Sequence, residues 1–228
     1  MLWGVDPAVF RPQDATAYRA ELGFGPDHVV FFSPRSYTQP YYNIDVVIAA
    51  AARVHAEEPR ARFLFAGYEG DPAPFEAQVQ AAGLRDVARV VGRIPHARFA
   101  AALNAGDVFI SVPSVDATAV SLLEAMSCGR AIIVSSLASA CEWITDGQSG
   151  RVVEPRAVGQ LADAMLFYAA DPAARRRHGE AALAGALADA GVEANMAHVD
   201  AIVRSLVAGA DHWPEAVALP GLRGAARR

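Results

Sequence analysis

Short apolar runs alternate with segments of helical periodicity along most of this 228-residue chain, and this alternation limits the fold more than any other feature. Val29–Ser33 is a continuous run of the kind found in a strand that is buried on both faces. Asn43 is placed to cap the next helix, whose apolar residues recur at helical spacing: Ile44, Val47, Ile48, Ala51 and Val54. We therefore predict an α/β fold, a Rossmann-like parallel sheet with helices on both faces.

The strand-to-helix loops are where a site is expected, because ligands of such sheets bind outside the carboxyl ends of the strands. They span residues 34–42, 67–71, 92–95, 111–118 and 135–141. The first of them carries no G-x-G-x-x-G pattern, which disfavours a dinucleotide oxidoreductase, and the chain has no G-x-S-x-G nucleophile motif.

Composition excludes several classes of partner. The formal net charge is −5, which argues against a nucleic-acid partner. Every basic residue is arginine, so a phosphate-binding lysine is not available. The two cysteines lack metal-ligand spacing to histidine, and no apolar run is long enough for a transmembrane segment. We predict a cytoplasmic protein that uses neither a metal ion nor a cofactor.

The most informative stretch joins an apolar strand to an apolar helix at residues 111–129. Thr118 is a candidate N-cap and Gly129 a candidate C-terminal stop. Asp116 and Glu124, eight residues apart, bracket the start of the helix. Thr118, Ser121 and Glu124 recur every three residues and so share a face with the amino end of the helix, where free amides and the positive dipole suit a phosphate.

This stretch resembles the acidic motif of the family 4 (group 1) glycosyltransferases of the GT-B fold, in which an acid is followed eight residues later by glutamate. The residues that match the motif are Ser121, Leu122, Leu123, Glu124, Ala125, Met126 and Gly129. The resemblance implies the C-terminal, donor-binding half of a GT-B architecture. It also implies the assignment of individual residues to the site.

By this resemblance Glu124 holds the ribose hydroxyls, and the diphosphate is bound by Arg35 with Thr118, Ser121 and the helix amides. Asp116 would be the catalytic residue, facing the donor sugar. The further donor-binding residues implied are Gly67, Leu122 and, beside the base, Arg93 and Ile94.

This chain departs from the family pattern at several positions of the expected site. Tyr42 stands where a lysine is usual, which removes one positive charge near Arg35. Glycines that are usual in the family are replaced by Ala117, Ala119, Ala138 and Ser139. We therefore expect diphosphate binding that is weaker or differently arranged.

The resemblance also divides the chain. Residues 1–12 resemble the inter-domain linker of the family, and residues 13–208 would form the nucleotide-sugar-binding domain with its C-terminal helices. Residues 209–228 mix glycine, proline and arginine without a period, which predicts a flexible tail. The predicted function is that of a retaining glycosyltransferase, inactive as this isolated chain, whose partners are a nucleotide sugar, an unknown acceptor, and an N-terminal acceptor domain or partner chain. Two alternatives remain: a non-catalytic nucleotide-sugar-binding subunit, or another GT-B enzyme such as a sugar-nucleotide epimerase.

Overall fold

The computed structural model describes residues 4–67 and 71–207, which form six strands and nine helices. The strands are β1 (Val29–Ser33), β2 (Ala61–Ala66), β3 (Ala88–Val91), β4 (Val108–Ser111), β5 (Ala131–Ser135) and β6 (Arg151–Val153). The helices are α1 (Thr16–Glu21), α2 (Ile44–Glu57), α3 (Ala73–Ala81), α4 (His96–Ala105), α5 (Val120–Ser127), α6 (Ala138–Cys141), α7 (Val158–Ala170), α8 (Pro172–Asp189) and α9 (Val192–Val207).

All six strands pair in parallel in one sheet, in the order β3-β2-β1-β4-β5-β6. The chain winds outward from β1 to β3, then returns to the middle, where β4 pairs with β1 through Phe31 and Val108. This is the doubly wound order of Rossmann-like sheets, with its reversal between β1 and β4. The predicted fold class is confirmed.

Both faces of the sheet are covered. In β1, Phe31 belongs to the core cluster that contains residues of α2, α3 and α7. Its neighbour Phe32 points to the opposite face, into the cluster with residues of α4, α5 and α8. Because successive side chains of a strand alternate between faces, a strand with apolar residues throughout needs a helical layer on each side.

The predicted cap at Thr118 is wrong, and the one at Asn43 is confirmed in position only. Helix α5 begins at Val120 with Ala119 as its N-cap, because the backbone at Ala119 is still extended, and Thr118 makes no capping hydrogen bond. Asn43 is the N-cap residue of α2, as predicted, but it is in the left-handed conformation and its side chain makes no capping hydrogen bond. Its side-chain amide donates instead to the carbonyl oxygen of Val112, at 2.8 Å.

The predicted stop at Gly129 is confirmed. Gly129 has a φ of +67°, its amide donates to the carbonyl of Met126, and the amide of Arg130 donates to that of Ala125. This pair of hydrogen bonds is the Schellman arrangement, which satisfies the last carbonyls of a helix and favours glycine at the left-handed position. It turns the chain from α5 directly into β5.

The segment before α1 is docked on the domain. Val5 accepts a backbone hydrogen bond from Val192 and donates one to Ala190, and Phe10 is buried. The assignment of residues 1–12 as a linker stays a prediction, as does the domain boundary at 208. The predicted tail at 209–228 lies outside the described residues, as do residues 1–3 and 68–70.

Helix α8 packs closely against the turn that ends α5. A Cβ atom added to Gly179, which is buried, would lie 2.3 Å from the carbonyl oxygen of Gly129. We predict that Gly179→Ala lowers the free energy of unfolding by about 1–3 kcal/mol, because this overlap with backbone outweighs the better helix propensity of alanine. Urea unfolding monitored by circular dichroism measures the change.

Gly185→Ala is the matched control on the same helix. Its Cβ would approach only Met126 Cε, at 3.8 Å, so alanine should stabilise the protein by roughly 0.5–1 kcal/mol. Equal effects of the two substitutions would contradict the packing argument.

Candidate functional site

The reversal of strand order opens a crevice at the carboxyl ends of β1 and β4. Helix α2, which follows β1, packs on one face of the sheet, and α5, which follows β4, packs on the other. The loops that leave the two strands therefore diverge, and the space between them is the expected ligand position in a doubly wound sheet.

A cleft of about 520 Å³ lies at this crevice. It brings together six of the predicted site residues: Arg35, Gly67, Arg93, Ile94, Ser121 and Glu124. Asp116 and Leu122 line a smaller cavity, of about 10 Å³, which shares Arg35 with the cleft. Thr118 lines neither cavity. The buried side chain of Leu122 belongs to the core, and its amide already donates to Ala119.

The Arg35 guanidinium group is held at two of its nitrogens and on one face. Its Nε donates to Ser111 Oγ and its Nη2 to Asp116 Oδ2, each at 2.8 Å. Its Cζ lies 5.1 Å from the centre of the Tyr42 ring. Two predicted site residues, Arg35 and Asp116, are thus joined by an ion pair whose side chains are only 11% and 20% exposed. This pair spans the crevice from the β1 loop to the β4 loop.

Two backbone amides at the start of α5 remain available. Within the described part of the chain, the amides of Val120 and Ser121 have no hydrogen-bond acceptor, whereas Leu122 donates to Ala119. Val120 and Ser121 both line the cleft, and Ser121 adds a hydroxyl group. Unpaired amides at a helix N-terminus form a binding place for an anion.

Glu124 is a buried carboxyl group on the wall of the cleft. It is 8% exposed, and no side chain or amide of residues 4–67 and 71–207 donates a hydrogen bond to it. Burial raises its pKa to about 7, with no compensating partner. An unpaired buried carboxyl group costs folding free energy, so its position calls for a ligand that supplies donors.

Packing explains Gly67. A Cβ at this residue would lie 1.6 Å from Cε1 of Tyr37, whose ring stacks on Phe75 at 4.7 Å between centroids. A side chain at position 67 would therefore displace an aromatic pair beside the cleft. The glycine is required by its neighbour, independently of any ligand.

Arg93 and Ile94 line the other end of the cleft, together with Phe99. The Arg93 side chain is exposed, and the described chain offers it no carboxylate or carbonyl partner. Its guanidinium group adds a second arginine to the cleft lining.

Hydrogen bonds between loops hold the site together. Tyr41 O accepts from the amide of Ser114, and Asn43 donates to Ser114 Oγ, so the β1 loop is tied to the β4 loop. Ser139 Oγ donates to the carbonyl oxygen of Asp116, at 3.0 Å, which ties the latter loop to α6.

Sequence reasoning missed Ser111 and the stacking role of Tyr42. Ser111 could have been found, because it ends β4, and the carboxyl ends of adjacent parallel strands meet at one edge of the sheet. The stacking could not, because it depends on the 3-10 turn Pro40–Tyr42 inside the loop.

Two further observations concern the described residues alone. They contain no group of three histidine, cysteine, aspartate or glutamate side chains that could hold a metal ion. None of their helices combines the length and apolar character that crossing a membrane requires.

Known proteins are similar to this chain in sequence and in fold. The family model described as "Glycosyl transferases group 1" matches residues 14–184. A D-inositol 3-phosphate glycosyltransferase of Kribbella flavida is 31% identical over 191 residues, which cover 79% of this chain and 44% of that protein. The chain thus spans less than half the length of this relative.

Solved structures of similar fold are also glycosyltransferases or related synthases. Sucrose-phosphate synthase from Thermosynechococcus elongatus superposes with a TM-score of 0.82 and 25% identity, covering 91% of this chain and 52% of that one. Anabaena HepE, solved in complex with UDP-glucose, gives 0.80 at 18% identity over 89% and 56%. The C-terminal domain of a group 1 glycosyl transferase from Francisella tularensis gives 0.73 at 19% identity and is covered completely, by 83% of this chain. The chain belongs to the group 1 family of glycosyl transferases.

Proposed function

We propose that this chain is the donor-binding half of a retaining glycosyltransferase, and that its cleft binds a nucleoside diphosphate sugar. The observation that carries the proposal is Glu124, a buried and unpaired carboxyl group on the same helix as the free amides of Val120 and Ser121. The cleft thus offers an acceptor for sugar hydroxyls and donors for phosphate side by side.

The diphosphate would bind at the start of α5. Arg35, the two amides and the Ser121 hydroxyl offer hydrogen-bond donors of positive or neutral charge, and the helix dipole adds to them. Negative charge accumulates on the diphosphate as its bond to the sugar breaks. Preorganised donors at that position stabilise the transition state more than the ground state, and this is the main catalytic contribution that we propose.

Glu124 would accept hydrogen bonds from the ribose hydroxyls. A ribose carries two neighbouring hydroxyl donors, which match the two oxygens of one carboxylate. The base would then lie towards Gly67, Arg93 and Ile94, at the end of the cleft that also contains Phe99.

Asp116 would act at the sugar side of the diphosphate. Its carboxylate is the ion-pair partner of Arg35, so an incoming diphosphate would compete with it for the guanidinium group. We propose that Asp116 then faces the donor sugar as the catalytic residue. We also propose that Thr118, in the loop before α5, and Leu122, in the first turn of that helix, lie near the donor.

The acceptor would be bound by a part of the protein beyond this domain. The Kribbella relative is more than twice as long as the matched region, and the cleft is a single wall. HepE was solved with UDP-glucose, which supports a nucleotide sugar as the ligand of this fold. In that arrangement the donor lies between two walls, only one of which belongs to the described residues.

We predict that the purified 228-residue chain binds a nucleotide sugar weakly and transfers none of it. One open wall leaves the ligand partly in water, so we expect a Kd on the order of 0.1–1 mM. Without an acceptor pocket the reacting groups are not positioned, and the proximity contribution is lost. Calorimetry with UDP-, GDP- and ADP-glucose measures binding, and a transfer assay with D-inositol 3-phosphate measures activity.

The outcomes distinguish the donor-half assignment from an acceptor site within the chain and from a failure of the proposed function. Binding of one nucleotide sugar without transfer supports the donor-half assignment. Rapid transfer by the chain alone would show that the acceptor site lies within it. Failure to bind any of the three would contradict the proposed function.

Glu124→Ala tests the ribose contact. Hydrogen bonds to a charged acceptor contribute about 1.5–3 kcal/mol, so the nucleotide Kd should rise roughly 10- to 150-fold. Glu57→Ala removes an exposed glutamate at the end of α2, outside the cleft lining, and should leave the Kd unchanged. Unaltered affinity in a folded Glu124→Ala protein would refute the assignment.

The same carboxyl group predicts a pH dependence of stability. Burial raises the Glu124 pKa from 4.5 to about 7, so the folded state binds the proton more tightly than the unfolded state. The contribution of Glu124 to the free energy of unfolding is fully present below pH 4.5. It is lost as the pH rises through 7, by up to about 3 kcal/mol. Glu124→Gln, which stays neutral, should therefore gain stability over the natural protein between pH 5 and pH 8.

Urea unfolding of both proteins at the two pH values measures the difference, with Glu57→Gln as the control for charge removal. A constant difference between Glu124→Gln and the natural protein would show that the carboxyl group is not buried as described.

A further inference from the structure

The Tyr42 ring packs against one face of the Arg35 guanidinium group. The Arg35 Cζ atom lies 5.1 Å from the centre of the Tyr42 ring, within the range of a cation–π contact. Both residues line the cleft, and the Tyr42 side chain is half-buried. The contact therefore lies at the wall that would meet the diphosphate.

The guanidinium group is fixed without using up its donors. Nε is bound to Ser111 and one N–H of Nη2 to Asp116. The two N–H groups of Nη1 and the second one of Nη2 have no acceptor within the described residues. Tyr42 covers a face, where guanidinium has no N–H to donate. The ring thus limits the movement of the group while its outer edge stays available to an anion.

The position of Tyr42 is itself fixed by its neighbours. It ends the 3-10 turn Pro40–Tyr42. On one side of it Tyr41 accepts a backbone hydrogen bond from Ser114, and on the other the buried Asn43 donates to Val112 and Ser114. The residues on both sides of Tyr42 are thus hydrogen-bonded to the loop that also carries Asp116, which limits where the Tyr42 ring can lie.

We propose that Tyr42 is a positioning residue, whose ring holds the Arg35 guanidinium group in the orientation that binds the diphosphate. The proposal rests on the proposed function. An uncharged ring thus contributes to phosphate affinity at the position where a lysine is usual in the family. Tyr42 acts through Arg35, so its removal should weaken the binding of phosphates and leave the binding of a nucleoside alone unchanged.

The test compares Tyr42→Leu and Tyr42→Phe with the natural chain. UDP, GDP and ADP and the matching nucleosides uridine, guanosine and adenosine are titrated into the ¹⁵N-labelled protein, and NMR shifts give the Kd values. A cation–π contact of this kind corresponds to about 2- to 30-fold in Kd. We expect Tyr42→Leu to raise the diphosphate Kd by that factor, to leave the nucleoside Kd unchanged, and to shift the Arg35 Nε–H signal. Tyr42→Phe, which keeps the ring, should restore both the affinity and the signal.

Tyr18→Leu is the matched control. The Tyr18 ring lies 4.9 Å from Cζ of Arg98, in the same kind of contact, but neither residue lines the cleft. Its removal should leave every nucleotide Kd unchanged, and thermal unfolding followed by circular dichroism verifies that each variant is folded.

The possible failures are distinguishable. If the natural chain binds none of the nucleotides, the proposed function is wrong and this inference with it. If the natural chain binds but Tyr42→Leu binds the diphosphate equally well, the positioning role alone is wrong. Equal losses in Tyr42→Phe and Tyr42→Leu would assign the effect to the hydroxyl group and overturn the role of the ring.

Discussion

The pairing of β4 beside β1 is the constraint on which the rest of this structure depends. It brings the carboxyl ends of two strands together while their helices leave to opposite faces of the sheet. The crevice that results cannot be filled by either helix. Polar groups of two loops can therefore meet across it, and the Arg35–Asp116 ion pair is one of the contacts that form there.

The main elements of the fold could be predicted from the sequence because the central strands β1, β4 and β5 are buried throughout and a helix such as α2 shows a clear apolar period. β1 begins and ends where the apolar run Val29–Ser33 predicts. The errors fall at helix starts, at Asn43 and Thr118. There a short polar side chain can cap the helix or bond to another loop, and only the tertiary structure decides between the two.

The site could be predicted in part, by a different kind of argument. Resemblance to the family indicated which residues gather in the cleft, and six of them do so. It could not show that Arg35 and Asp116 contact each other, because their side chains come from loops 81 residues apart in the chain. Nor could it separate the packing requirement at Gly67 from a contact with the nucleotide.

The close contact between Gly179 and Gly129 also has a mechanical consequence. Helix α5 has eight residues and is about 12 Å long, so its two ends are close to each other. Its carboxyl end abuts α8 and its amino end borders the cleft. A shift of the carboxyl end would therefore change the direction in which the amides of Val120 and Ser121 point. The packing of α8 against the end of α5 thus bears on the alignment of amides in the cleft that α8 itself does not contact.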